Sequence, residues 1–325
     1  MLSCLRSFPK DSAAGPSGLK PQHLFDILIT APPEHASSCL RELDTLTTRF
    51  LAVGTHEAER HIWASGKLIA LEKKNKDPLS TAPLGTRPIA VGETLRRLFS
   101  KVLLTQPSVR SAVHSLRPLQ CGVATPNGSI FAPMALQQGI HSLMAQGATD
   151  WAVLTVDLSN AFNSVKRSAV LQSAISTCPE SVPWVSSMYG SHSSRYCQSR
   201  VLRSESGVQQ GDPLGPLLFS WALHQTANVV SSSVPWCSWY LDDGAMIGTR
   251  TQLESALAAL VADSPRTGLQ VNLSKCQVWG PAPPYVFPIS IQSVSCPIHA
   301  RVWYHSSWLP CLPTRKLGLC FQCCS

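Results

Sequence analysis

The stretch Ser238-Trp239-Tyr240-Leu241-Asp242-Asp243-Gly244-Ala245-Met246-Ile247 decides the fold of this chain. Two adjacent carboxylates lie between two runs of strand-forming residues, and Asp243-Gly244 is a strong signal for a two-residue turn. The pattern predicts a β-hairpin with Asp242 and Asp243 at or beside its tip. Neighbouring like charges repel unless something positive lies between them. Such a hairpin is therefore either a solvated turn or part of a site for a hard divalent cation.

A second carboxylate signal precedes the hairpin in the chain. Trp151 to Val156 is a continuous apolar run of strand-forming residues, which predicts a buried strand, and Asp157 follows it directly. A carboxylate at the end of a buried strand is costly unless it is paired or bound to a metal. The alternative is an Asp that caps the following turn.

The segments before and after these carboxylates are predicted to be helices, strands and one glycine-rich loop. Residues 207–216 form a loop rich in glycine and proline, and an apolar helix follows over 217–230. Residues 268–273 alternate like a strand and lead to Lys275. Upstream, strands are predicted at 66–74 and 87–91, and helices at 40–53, 93–104 and 131–146, the last with Pro133 in its first turn. Helices that alternate with strands favour a sheet backed by helices.

The composition favours a polyanionic partner. The chain has 325 residues, 44% of them hydrophobic, and 27 Lys and Arg against 19 Asp and Glu, for a net charge of +8. The basic face of the helix at 93–104 and the residues Arg195, Arg200 and Arg203 are candidate phosphate contacts. The alternative is a solvated charged surface.

The N-terminus and the cysteines bear on the compartment. No apolar run reaches the roughly 18 residues that a membrane span needs, and Arg6, Pro9 and Lys10 interrupt any signal-peptide pattern. We therefore expect an intracellular protein, nuclear or cytoplasmic, that has no membrane partner and whose 12 cysteines are reduced.

Six short motifs resemble, in order, those of a reverse transcriptase (RNA-directed DNA polymerase) encoded by non-LTR retrotransposons. They are GPSGL at 15–19, RPIAV at 87–91, VDLSNAFNSV at 156–165, GVQQGDPLGPLLF at 207–219, YLDDG at 240–244 and GLQVNLSKC at 268–276. RNA-directed RNA polymerases usually carry Gly-Asp-Asp at the hairpin, so Tyr-x-Asp-Asp favours reverse transcriptase. Group II intron maturases share the same core and stay open as an alternative.

The resemblance implies an α+β fold with the fingers and palm of a right-hand polymerase, the palm being an antiparallel sheet backed by helices. The reverse transcriptase domain is expected at 11–280, with fingers at about 11–150 and mainly palm at 151–280, after an N-terminal extension at 1–10. The thumb is interpreted as missing or degenerate. Residues 281–325 form an irregular tail containing Cys, Pro and Trp, interpreted as out of frame or disordered.

The resemblance also implies nucleotidyl transfer from a dNTP to a primer 3′-OH with two Mg²⁺ ions, for which Mn²⁺ can substitute. The implied metal ligands are Asp157, Asp242, Asp243 and the backbone carbonyl of Leu158. Lys275 is expected to protonate the pyrophosphate; its alternative is an ordinary surface lysine.

Five further residues are implied to hold the incoming nucleotide. Arg87 and Lys73 are expected to contact the triphosphate, because cationic side chains bind phosphate well. Phe162 is expected to exclude the 2′-OH, although a core Phe is the simpler explanation of that position. Gln210 and Gly211 are expected to line the dNTP and template base.

The partners implied are an RNA template, a DNA primer and dNTPs, while the oligomeric state stays undetermined. A catalytically inert nucleic-acid-binding relic of a retroelement is the competing hypothesis.

Overall fold

The computed structural model describes residues 1–72 and 86–280, together with the backbone of the short strand Gln292–Ser293. Lys73 lies outside the described residues, and so does the rest of the tail that follows Gly280.

Helices account for most of the described chain, and the bounds of several agree with the sequence pattern to within a few residues. They are α1 (Leu2–Arg6), α2 (Pro21–Thr30), α3 (Pro33–Val53), α4 (Glu57–Ala64), α5 (Thr94–Leu103), α6 (Pro107–His114), α7 (Gly128–Ala145), α8 (Ala161–Ser164), α9 (Arg167–Thr177), α10 (Val182–Tyr189), α11 (Gly215–Ser231) and α12 (Arg250–Asp263). None of the helices in the described ranges combines the length and the apolar character needed to cross a membrane.

The strands form two sheets. They are β1 (Gly66–Glu72), β2 (Thr86–Gly92), β3 (Ala152–Val156), β4 (Ser193–Cys197), β5 (Arg200–Ser204), β6 (Trp236–Tyr240), β7 (Asp243–Gly248), β8 (Gln277–Trp279) and β9 (Gln292–Ser293). One sheet has the order β2-β1-β4-β5 and the other β6-β7-β3-β8-β9. In the second sheet β6, β7, β3 and β8 pair antiparallel, and β9 adds in parallel. The predicted α+β fold with an antiparallel sheet is confirmed.

The main core lies between this second sheet and the helices behind it. Ala152 and Leu154 of β3 are fully buried, as are Leu253, Leu257 and Leu260 of α12. Helix α11 is apolar on nearly every side, which is typical of a helix enclosed by other elements. The first residues also belong to this core, because Cys4 and Leu5 of α1 are buried in it.

The predicted strand at 268–273 is wrong. Gly268 ends a short 3₁₀ helix (Ser264–Thr267) with a positive φ of 81°, and the following residues make only a single bridge, between Val271 and Leu158. Helix α7 also begins earlier than expected, so Pro133 lies inside the helix instead of in its first turn.

Three arginines expected on the surface are buried. Arg96, Arg97 and Arg195 have 0%, 8% and 5% exposure. Arg97, for example, donates from Nη2 to the carbonyl of Ala13 over 2.6 Å, which ties the loop before α2 to α5. For these three the solvated-surface interpretation is wrong, because their guanidinium groups are buried and bond inside the protein. Arg200 and Arg203 are exposed.

Candidate active site

The carboxylate hairpin is formed by β6 and β7, but its turn differs from the predicted one. Tyr240 pairs with Asp243, so the two central residues are Leu241 and Asp242 instead of Asp243 and Gly244. Leu241 has a positive φ of 59° and Asp242 does not, as in a type II′ turn. Asp242 thus lies in the tip, and Asp243 begins the returning strand.

Gly244 is not a turn residue but packs against Trp239. It pairs with Trp239, whose side chain is fully buried, and a Cβ on Gly244 would lie 2.7 Å from the indole ring. Glycine is needed because the ring covers the backbone at this point.

The second sheet brings Asp157 next to the hairpin. Val156 pairs with Gly244, so one residue farther along the same register Asp157 comes opposite Asp243. Burial and the charges of Asp243 and Asp157 together raise the pKa of Asp242 to about 6, while Arg87 acts in the opposite direction. The three carboxylates therefore share one electrostatic environment, and Arg87 of the other sheet reaches it.

Lys275 lies beside Asp157. Its Nζ is 3.6 Å from Asp157 Oδ2, a buried oxygen that has no hydrogen-bond partner within residues 1–72 and 86–280. Asn272 holds the two segments together, because its N–H donates to the carbonyl of Asp157 (2.8 Å) and its own carbonyl accepts from the N–H of Lys275 (3.0 Å). The ammonium group compensates the charge of Asp157 without forming a close hydrogen bond.

The backbone of Leu158 is oriented by its bridge to Val271. Ser159 donates to the carbonyl of Gln270, and Asn272 donates to that of Asp157, each over 2.8 Å. In an antiparallel bridge bonded in this way, the N–H and C=O of Leu158 itself point away from Val271.

The donor set can be tested against the implied metal. No three His, Cys, Asp or Glu side chains within residues 1–72 and 86–280 form a group that could hold an ion. Mg²⁺, however, is commonly held by one or two carboxylates together with substrate phosphates and water. Asp157 Oδ2 accepts no hydrogen bond from the described residues, and burial together with the neighbouring carboxylates raises the pKa of Asp242. The residues present fit such a cation.

The loop that carries Gln210 and Gly211 is fixed to β2, the strand of Arg87. The N–H of Ala90 donates to the carbonyl of Gln210 over 2.9 Å. Gly211 has a φ of 117°, and a Cβ there would lie 2.8 Å from the Ala90 carbonyl. Only glycine allows both this conformation and this approach.

Phe162 lies between that loop and α11. Its ring stacks on Phe219 with centroids 4.6 Å apart and planes at 17°, and its carbonyl accepts from the N–H of Val208 over 2.8 Å. The side chain is half-buried. Phe162 therefore contributes to the core.

Sequence reasoning missed a buried ion pair below the Gln210 loop. Arg96 Nη2 lies 2.6 Å from Asp212 Oδ2, which also accepts from the hydroxyl of Tyr189 over 2.7 Å. The other oxygen of Asp212 accepts from the N–H of Leu214 at the start of α11 (3.0 Å). Asp212 was visible in the Gly-Asp-Pro motif, but nothing in the sequence connects it with a partner 116 residues away.

Gln120 was missed as well. Its side-chain amide bonds to both backbone groups of Leu241 in the hairpin turn. A single buried glutamine carries no sequence signal.

A family model described as reverse transcriptase (RNA-dependent DNA polymerase) matches residues 72–301. The chain is 26% identical to the retrotransposable element SLACS 132 kDa protein of Trypanosoma brucei gambiense over 203 residues, which cover 59% of this chain and 16% of that protein. It is 28% identical to the retrovirus-related Pol polyprotein from type-1 retrotransposable element R2 of Popillia japonica over 156 residues, 44% of this chain and 20% of that one.

Among solved structures, apo telomerase from Candida tropicalis, truncated from its C-terminal domain, matches with a TM-score of 0.49 and 12% identity, over 77% of this chain and 57% of that one. Telomerase from the same organism in complex with a fragment of telomeric RNA matches with a TM-score of 0.48 and 11% identity, over 74% of this chain and 44% of that one. The chain spans a fifth or less of the length of the curated relatives named above. The family model covers well over half of the chain, which therefore belongs to the reverse transcriptase (RNA-dependent DNA polymerase) family, as a domain of the kind carried by non-LTR retrotransposons.

Proposed function

We propose that this domain extends a DNA primer by adding dNTPs along an RNA template. The observation that carries the proposal is the meeting of Asp157, Asp242 and Asp243, with Arg87 arriving from the other sheet. We assign the sheet β2-β1-β4-β5 to the fingers (about 11–150 and the hairpin β4–β5) and the sheet around β3 to the palm, within a domain at 11–280.

Asp157, Asp242 and the carbonyl of Leu158 would hold Mg²⁺, or Mn²⁺ in its place, with Asp243 as a further ligand. When bound, two such ions would supply the charge that activates a primer 3′-OH and stabilises the leaving pyrophosphate. The protein keeps these oxygens in place through the antiparallel pairing of β3 with β7 and through the bond from Asn272 to Asp157.

The remaining residues would bind and orient the nucleotide. Arg87 suits the triphosphate, because it is exposed and close enough to influence Asp242. Lys73, proposed for the same purpose, lies outside the described residues. Gln210 and Gly211 would line the base, and Phe162 would contact the sugar.

Lys275 would supply a proton to the leaving pyrophosphate. Its side chain is 64% exposed and its Nζ is already 3.6 Å from Asp157. An ammonium group in that position can donate to an oxygen that arrives at the carboxylates, and it offsets their charge beforehand.

Primer extension on poly(rA)/oligo(dT) with Mg²⁺ tests the proposal. We expect Asp242→Asn to lower incorporation by about a hundredfold or more, because metal-assisted stabilisation is worth several kcal/mol and each 1.36 kcal/mol is about tenfold. Asp44→Asn is the matched control, since Asp44 is exposed on α3. Equal incorporation by wild type and Asp242→Asn would contradict the proposal. Salt-sensitive RNA binding without incorporation by either would support the inert relic instead.

A further inference from the structure

A small cavity lies behind the Gln210 loop, apart from the carboxylates. It has a volume of about 90 Å³ and lies between β1, β2 and the segment Ser204–Gln210. Pro88 and Ala90 contribute to its wall from β2. Side chains alternate between the two faces of a strand, so these residues face away from the side that carries Arg87. The cavity thus lies on the face of β2 opposite to Arg87, and Gln210, which also contributes to its lining, separates it from the candidate active site.

Positive charge is concentrated around this cavity. Arg167 and Arg195 line it, and Arg96 lies directly behind, since Arg96 and Arg195 donate to the same carbonyl of Ala64 (3.0 and 3.1 Å). Asp212 is bound to Arg96. Glu205, on the nearby loop, is exposed and paired with Arg203.

The three guanidinium groups repel one another. Burial, and then the charges of Arg96 and Arg167, lower the pKa of Arg195 to about 10. Burial also lowers the pKa of Arg167, with Arg96 among the further causes. An anion between these groups would relieve the repulsion.

One nitrogen of the Arg195 guanidinium is left without a hydrogen-bond acceptor among the described residues. Its Nη1 donates to the carbonyls of Ala64 and Ser194, but its Nη2 is buried and bonds to no atom of the described residues. A buried donor left unpaired is costly, so a ligand at this atom is favoured.

The opposite wall of the cavity, formed by the segment Ser204–Gln210, is fixed by hydrogen bonds from Arg167. Its guanidinium donates to the carbonyls of Ser191, Ser204, Ser206 and Gly207, and to the hydroxyl of Ser204. Ser206 is exposed at the rim of the cavity, with its hydroxyl bonded to the carbonyl of Asn163 (3.0 Å). Gln209, also in the lining, donates to the carbonyl of Ala64 (3.0 Å). Its Oε1 lies beside Gly92, as Arg96 Nε does, and has no partner in the part of the chain that the structure describes.

We propose that this cavity binds a phosphate-type oxyanion. The volume is about three times the space of one liquid water molecule, which suits a single tetrahedral anion. Arg195 Nη2 would donate to it, Arg167 and Arg96 would supply charge, and the hydroxyl of Ser206 would close the rim. The anion is either free phosphate or one phosphate of a bound nucleic acid backbone.

Thermal unfolding of the full chain tests the site without any need for catalysis. Sodium phosphate is compared with sodium chloride at equal ionic strength. At ten times the dissociation constant of phosphate, we expect the Tm of the wild type to rise by about 2–4 °C more than that of Arg195→Gln. The general stabilising effect of phosphate is common to both proteins and cancels. Arg41→Gln, which removes an exposed arginine from α3, should respond like the wild type.

A second variant keeps all three arginines. Ser206→Asp places a carboxylate at the rim, so we expect a higher Tm without phosphate and no further response to it. This variant decides the matter if Arg195→Gln does not fold.

The nucleic-acid source is tested by the salt dependence of binding to an RNA–DNA duplex. If a backbone phosphate occupies the cavity, Arg195→Gln and Ser206→Asp should each lower the slope of log K against log salt by about one, with no differential response to free phosphate. If free phosphate occupies it, the thermal difference appears and the slopes agree. Equal Tm responses together with equal slopes would overturn the proposal.

Discussion

The side-chain amide of Gln120 bonds to both backbone groups of Leu241, the residue that turns the carboxylate hairpin. Gln120 Oε1 accepts from the N–H of Leu241 (2.7 Å) and Nε2 donates to its carbonyl (3.2 Å). Leu241 has a positive φ of 59°, which costs a residue with a Cβ about 1–2 kcal/mol. A partner that satisfies both backbone groups stabilises this conformation, and through it the position of Asp242.

Gln120→Ala should therefore weaken both the fold and the site. Leu241 is half-buried, so leaving its backbone groups unpaired should cost up to about 1–3 kcal/mol, measurable by urea unfolding. We also expect primer extension to require more Mg²⁺, because Asp242 is no longer held in place. Gln138→Ala, on the exposed side of α7, is the control and should change neither quantity. An unchanged Mg²⁺ requirement in Gln120→Ala would show that the turn keeps its shape without the amide.

Gly244→Ala should destabilise the palm sheet. The new methyl group would lie 2.7 Å from the Trp239 ring, and overpacking of this kind costs about 1–3 kcal/mol. The unfolding free energy of the double variant Gly244→Ala/Trp239→Leu is the decisive measurement. Because the smaller side chain makes room for the methyl group, the cost of Gly244→Ala should shrink in that background. Strictly additive effects would refute the steric explanation.

The ion pair of Arg96 and Asp212 should matter far more than an exposed one. Asp212→Ala leaves a buried guanidinium without its carboxylate, which costs about 3–5 kcal/mol. Glu254→Ala, which breaks the exposed pair with Arg250, should cost about 0.5 kcal/mol or less. Denaturant unfolding of the two variants gives the comparison, and similar costs would argue against this view of the buried network.

Lys275 offers a test of proton donation against charge compensation. Lys275→Arg keeps the positive charge, but a guanidinium holds its proton too firmly to donate it at neutral pH. If Lys275 is the proton donor, kcat of primer extension should fall by about ten- to a hundredfold while the KM for dNTP stays constant. Lys10→Arg is the control, because Lys10 is an exposed lysine near the N-terminus. Full activity of Lys275→Arg would show that Lys275 compensates charge and does not donate the proton.

Phe162→Val separates the sugar contact from the core contact. Loss of the stacking on Phe219 affects all substrates equally, whereas loss of a barrier to the 2′-OH affects ribonucleotides alone. We expect the preference for dNTP over rNTP, measured as the ratio of kcat/KM, to fall by at least about tenfold. A lower stability with an unchanged ratio would mean that Phe162 is only a core residue.

Much of the fold could be predicted because the sequence signals are local. The apolar run before Asp157, the strand-forming runs around Asp242 and Asp243, and the periodic apolar residues of α3 each reflect burial of a single element. The failures were also local. Asp243-Gly244 is a strong turn signal, yet Gly244 is a glycine because of Trp239 across the strand, and 268–273 alternates without forming a strand.

The sequence by itself determined the order of the motifs and the three carboxylates, since strand ends and turn residues have signatures within a few positions. Only the tertiary structure decided which cations are buried and which oxygens they meet. Arg96 and Arg195 look like surface charges in the sequence but share the carbonyl of Ala64 inside the protein. Gln120 holds Leu241 from 121 residues away. Such contacts depend on how distant segments pack, because no local pattern encodes the charge or the hydrogen-bond partner that a side chain meets after folding.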